Sequence, residues 1–188
     1  MHKSRIAVVI AAMFTAMTIF FFCPVVNGDQ GAALMEAVAK NDLTQVQSLL
    51  EKGADVNVKD DKGVTALMMA SVMGHVEVVK KLLDKGADVN AKAGTGSAAL
   101  MLASFMGHLD AVRQLLEKRA DVNAKDNDGV TALMGTAYEG HFDVAKLLLE
   151  KGADVNIKSK DGDTALMAAT EKRHAKIVEL LKAHRAKE

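Results

Sequence analysis

The sequence repeats itself every 33 residues, and that period limits the possible folds more than any other feature. Gly63, Gly96, Gly129 and Gly162 are each 33 apart, as are Leu67, Leu100, Leu133 and Leu166, and His75, His108, His141 and His174. The segment Ala-Asp-Val-Asn recurs at 54, 87, 120 and 153. Four registers that agree in this way do not arise by chance. A period of this length marks a supersecondary unit that cannot bury its apolar face alone and must stack on copies of itself.

The unit can be read residue by residue. Thr65 offers an N-cap hydroxyl to the helix formers Ala66-Leu67-Met68-Met69-Ala70, and Leu67 and Ala70 share one face. Gly74 ends that helix and His75 opens a second. There Val76, Val79, Leu82 and Leu83 form a stripe of period 3.6 while Glu77, Lys80 and Lys81 face water. Gly86 supplies a left-handed residue after the last turn, and the polar stretch from Asp88 to Gly96 crosses to the next unit.

In these residues the chain resembles the ankyrin repeat family. That family's repeat runs D-x-x-G-x-T-P-L-H-x-A-x-x-x-G-H-x-x-x-V-x-x-L-L-x-x-G-A-D-V-N. Here DDKGVTALMMASVMGHVEVVKKLLDKGADVN runs from 60, with comparable runs from 93, 126 and 159. The resemblance covers residues 31–185 and implies an all-α repeat solenoid, an ankyrin array of five helix-turn-helix repeats with β-turn or hairpin linkers. Its expected parts are a capping repeat at 29–59, repeats at 60–92, 93–125 and 126–158, and a C-terminal capping repeat at 159–188.

The departures from the family pattern carry expectations of their own. Pro-Leu-His becomes Ala-Leu-Met after Thr65, Thr131 and Thr164, and the remaining full unit reads Ala98-Ala99-Leu100-Met101. Proline is tolerated rather than required at a first helical position, so Ala66 does no harm. Met68, Met101, Met134 and Met167 then add apolar packing at the seam between repeats. Arg119 stands where Gly53, Gly86 and Gly152 stand in other units, so it is expected to carry a strained left-handed backbone. Asn41-Asp42 replaces Gly-His in the first unit, and His184-Arg185-Ala186-Lys187-Glu188 replaces the last Gly-Ala-Asp-Val-Asn. Polar ends of this kind cap an array, and a monomer is expected.

Aromatic residues make up only 4% of the chain, with no Trp, so the core must be built from Ala, Val, Leu and some of the 11 Met. The 24 basic and 24 acidic residues balance. This argues against nucleic acid as a partner, because such binding rests on a basic face that neutralises phosphates. Residues 1–28 read as an address: Met1-His2-Lys3-Ser4-Arg5 is basic, no charge follows from Ile6 to Val26, and small or short residues precede Asp29. The expectation is a cleaved signal peptide or an uncleaved N-terminal anchor, and an exported product, periplasmic or secreted. Removing 1–28 leaves 22 basic against 24 acidic residues, a net charge of −2, and also removes Cys23, the one cysteine. Apart from the possible anchor, no membrane contact is expected.

Methionine and histidine in an exported chain raise the question of copper, whose soft ion they suit. The four histidines occupy equivalent positions, so consecutive ones lie one repeat apart, roughly 8–10 Å. Two imidazoles sharing an ion must approach within about 3–4 Å, so they cannot do so. Met68, Met101, Met134 and Met167 fail by the same argument, which leaves Met73 and Met106 as a weak Met site. Gly94-Thr95-Gly96-Ser97-Ala98-Ala99 matches a dinucleotide fingerprint but lacks the strand and βαβ unit it needs. Asp121 to Asp126 starts like a calcium loop, yet Lys125 and Ala132 stand where ligands belong. No nucleophile motif is found, so neither an enzyme nor a cofactor is implied.

The resemblance implies a concave recognition face for another protein. Carried over by position, it comprises Val64, Val72 and Met73, then Ser97, Phe105 and Met106, then Val130, Tyr138 and Glu139, with linker tips at Asp61, Lys62, Thr95, Asn127 and Asp128. In the last unit the equivalents are Asp163, Glu171 and Lys172. Apolar and aromatic residues dominate the first nine, with Phe105 and Tyr138 as expected anchors. The rival readings are a membrane-tethered scaffold, a self-associating array and periplasmic metal binding.

Overall fold

The computed structural model describes residues 30–186, so the leader read from residues 1–28 lies outside the described residues. These residues divide into two compact units, one ending at Asp121 and the other beginning at Val122. Among them the regular structure is all helical.

The first unit holds three helix pairs. They are α1 (Gln30–Ala39) with α2 (Leu43–Glu51), α3 (Ala66–Met73) with α4 (Val76–Asp84), and α5 (Ala99–Phe105) with α6 (Leu109–Glu117). Helices α1, α3 and α5 pack in succession, and α2, α4 and α6 form a parallel succession beside them. Helices of seven to ten residues are too short to persist alone, so this packing is what holds them. Leu67, Met68, Val79, Leu82, Leu100 and Leu115 are almost wholly buried. Each such side chain contributes about 1.5–3 kcal/mol by leaving water.

Helix ends follow the local chemistry of the repeat. The hydroxyl of Thr65 accepts from the Met68 amide at 3.2 Å, and Gly74 closes α3 at φ +69°. Ala98 has the same extended backbone as the capping threonines but no hydroxyl, so α5 starts without a side-chain cap. In the first pair Asn41 takes the left-handed place at φ +54°, and Asp42 caps α2 through the Gln45 amide at 2.9 Å. Arg119 is left-handed, at φ +66°.

The linkers are closed by side chains. Asp60 accepts from the amides of Lys62 at 2.9 Å and Val64 at 2.8 Å, and the strand character expected of a hairpin reduces here to one bridge between Lys59 and Thr65. Asn57 Oδ1 accepts from the Asp88 amide at 2.7 Å, and Asn90 Oδ1 from the Asp121 amide at 2.9 Å. Each asparagine thus ties its linker to the next one in the unit.

The second unit holds α7 (Ala132–Glu139) with α8 (Phe142–Glu150) and α9 (Ala165–Glu171) with α10 (Ala175–Ala183). Helix α7 packs on α9, and α8 on α10. Thr131 and Thr164 cap α7 and α9 through the Met134 and Met167 amides, and Asn123 accepts from the Asp154 amide at 2.8 Å. One expectation is corrected here: Met68, Met101 and Met134 are buried, but Met167 is 46% exposed. Its position needs a further inner helix to cover it, and α9 is the last inner helix among the described residues.

Candidate functional site

The expected recognition face is described unit by unit. In the first unit Met73, at the last position of α3, is 40% exposed, and Val72 and Met106 beside the two helix ends are half-buried. The linker tips Asp61, Lys62 and Thr95 are exposed, and Gly94 brings the two tips together by donating its amide to the Lys62 carbonyl at 2.8 Å. Val64, Ser97 and Phe105 are buried.

In the second unit Asn127 and Asp128 are exposed and Glu139 is half-buried, while Val130 and Tyr138 are buried. Lys160 joins these tips by donating its amide to the Asp128 carbonyl at 2.8 Å. Lys172 lies 4.0 Å over the Tyr138 ring, and its pKa is raised first by hydrogen bonding to Tyr138. The aromatic face of Tyr138 is therefore already engaged by a cation. In the last repeat of this unit Asp163 is half-buried, while Glu171 and Lys172 are exposed.

Two expected anchors are corrected by this geometry. Phe105 retains only 5% of its surface and Tyr138 8%, so neither offers a ring for a partner to cover. The last positions of an inner helix are exposed only when neighbouring side chains leave them so, and sequence spacing does not record this. Conversely, Phe142 is 36% exposed at the head of α8, a large apolar side chain absent from the expected face. Its signal was an aromatic residue at a first helical position.

The repeated histidines hold the backbone beneath this face. His108 Nε2 lies 3.1 Å from the Val72 carbonyl, and His174 Nε2 lies 3.0 Å from the Tyr138 carbonyl. A carbonyl only accepts, so Nε2 carries the proton in both. His75 differs: its Nε2 is buried without a hydrogen-bond partner, and burial pushes its pKa down. Among the described residues, no three His, Cys, Asp or Glu side chains converge into a set that could hold a metal ion.

An open groove of about 390 Å³ lies between α4 and α6. Val76 and Leu83 line it, with Lys80, Arg113 and Lys118 set among Asp84, Asp110 and Glu117. Lys118 reaches Asp84 across it at 2.9 Å, an exposed pair. The lining charges balance and do not converge on one point, so the groove lacks the few focused polar groups of a small-molecule site.

Comparison with known families agrees with this geometry. Residues 34–126 and 100–188 each match a family model described as ankyrin repeats (3 copies). No curated protein matches the chain.

Proposed function

Because the chain belongs to the ankyrin repeat family, whose arrays generally mediate protein–protein interaction, we propose that it is a non-enzymatic module that binds another protein. The observation that carries this reading is Met73, a large apolar side chain left 40% exposed beside half-buried Val72 and Met106. Methionine suits such a surface because its unbranched, polarisable chain adapts to the shape it meets. Exposed Asp61, Lys62 and Thr95 supply polar groups from the linker tips of the same unit. Polar groups around an apolar centre are the usual composition of a transient protein interface.

This assignment moves the anchor from Phe105 and Tyr138 to Met73. We place the protein outside the cytoplasm, periplasmic or secreted, on the strength of its first 28 residues. A mature mass lacking those residues supports export with cleavage, and a mass retaining them supports a tether.

Binding is tested by partner capture from the exported fraction. Met73→Glu is expected to abolish capture, with the melting temperature kept within about 2 °C, as for other surface changes. Undiminished capture by this variant contradicts the assignment.

A further inference from the structure

His75, at the head of α4, is the exception among the repeated histidines. The His108 ring lies over Gly74, so close that a Cβ there would fall 2.7 Å from it, and its Nε2 reaches the carbonyl of Val72, 36 residues earlier. The residue in the place of Gly74 one repeat earlier is Asn41, which has a side chain. A Cβ at this place meets the ring in the His108 arrangement, and His75 does not make the hydrogen bond that His108 makes. Its Nε2 is buried and unpartnered, and the equivalent carbonyl, that of Ala39, favours the charged ring without completing a hydrogen bond of full geometry.

We propose that His75 makes the junction between the α1–α2 pair and the α3–α4 pair acid-sensitive. Protonation places a cation on a half-buried ring whose buried Nε2 has no hydrogen-bond acceptor of full geometry, beside His108. Loosening α1 and α2 from α3 and α4 hydrates the ring and relieves that cost. The consequence is a first helix pair that detaches in acid and uncovers the apolar surfaces of α1 and α3.

The surrounding charges do not compensate. Helix α3 has no ionisable residue, α1 has Glu36, and the α1–α2 turn has Lys40 and Asp42. Lys40 is held by Glu36 at 2.6 Å, and Asp42 is engaged by the Gln45 amide. The head of α4 has Glu77, and the next repeat has His108 and Asp110; of all these, only His108 acts on His75, and it repels the charged form. Burial acts in the same direction and is the larger cause, so the folded pKa lies below the ordinary 6.5. The unfolded chain therefore binds more protons between the two values. The stabilisation is complete above 6.5 and is lost as pH falls through the folded value.

Amide hydrogen exchange on the full chain, corrected for intrinsic rates, tests this between pH 7 and pH 5. Protection in residues 31–51 is expected to fall by at least about threefold relative to α5 and α6, because it follows local opening. In His75→Gln the relative protection should not change with pH. If that variant lacks a cooperative melt, Asn41→Gly serves instead: it gives the ring the space that Gly74 gives His108 and should blunt the response. A relative protection that is constant with pH in the wild type overturns the proposal. So does a response that survives in His75→Gln, or in Asn41→Gly where that variant decides.

Discussion

The His108 imidazole rests directly on Gly74: a Cβ at residue 74 would lie 2.7 Å from the ring, and His108 Nε2 donates to the Val72 carbonyl at 3.1 Å. The second unit repeats the relationship, with a Cβ at Gly140 falling 2.6 Å from the His174 ring. In both places glycine is required twice, for its positive φ and for the ring above it. Gly86 and Gly152 also have positive φ, but a Cβ at either would meet nothing within 4 Å.

That contrast sets the first prediction. Gly86→Ala should cost only the left-handed backbone term, about 1 kcal/mol. Gly74→Ala should cost that and about 1–3 kcal/mol more, because the ring must move. Urea unfolding of the two variants checks the order, and equal losses would contradict the ring contact.

Arg119 gives a prediction of the opposite sign. Its φ is +66° with an ordinary side chain, and its carbonyl accepts from Asn90 at 3.4 Å, a bond that does not depend on the side chain. Arg119→Gly should stabilise by about 1 kcal/mol, raising the melting temperature by about 2–4 °C. Scanning calorimetry decides, and a lower value would count against strain at this position.

Capping supplies a paired test. Thr131 and Ala98 have nearly the same backbone, with φ of −109° and −112°, but only the threonine accepts from the third amide of its helix. Thr131→Ala should lower stability by about 1 kcal/mol, and Ala98→Thr should recover part of such a term for α5. Thermal melts of the two variants should move in opposite directions.

Phe105 and Tyr138 separate stability from binding. Both are buried, so Phe105→Ala should cost about 3–5 kcal/mol and Tyr138→Ala a comparable amount. Loss of partner capture in either variant would then accompany loss of fold, visible as a lowered denaturant midpoint. A Phe105→Ala protein with unchanged stability would show that the ring is not part of the core.

Most of the helical framework is legible in the sequence because each part of it is local. Thr65, Gly74, Gly86 and Arg119 reveal their roles through cap and left-handed chemistry, repeated at a period that fixes the register. Exposure is less legible. Whether Phe105 or Met73 faces water depends on side chains from elements distant in sequence, and a 33-residue period gives both the same standing. The odd behaviour of His75 is hidden for a similar reason: the residue in the place of Gly74 is Asn41, 34 positions earlier, which looks like an ordinary end-repeat variation. Met167 shows the same limit, since its position matches a buried one and its surroundings do not.

The most direct test of the binding account is a photoreactive residue placed singly at 73, 95 and 85 in the full chain, then irradiated in the exported fraction. Positions 73 and 95 belong to the proposed surface of the first unit, whereas Lys85 is exposed at the far end of α4. The account predicts one discrete cross-linked protein from 73 and 95 and none from 85. A cross-link of equal strength from 85, or none from 73, would contradict it.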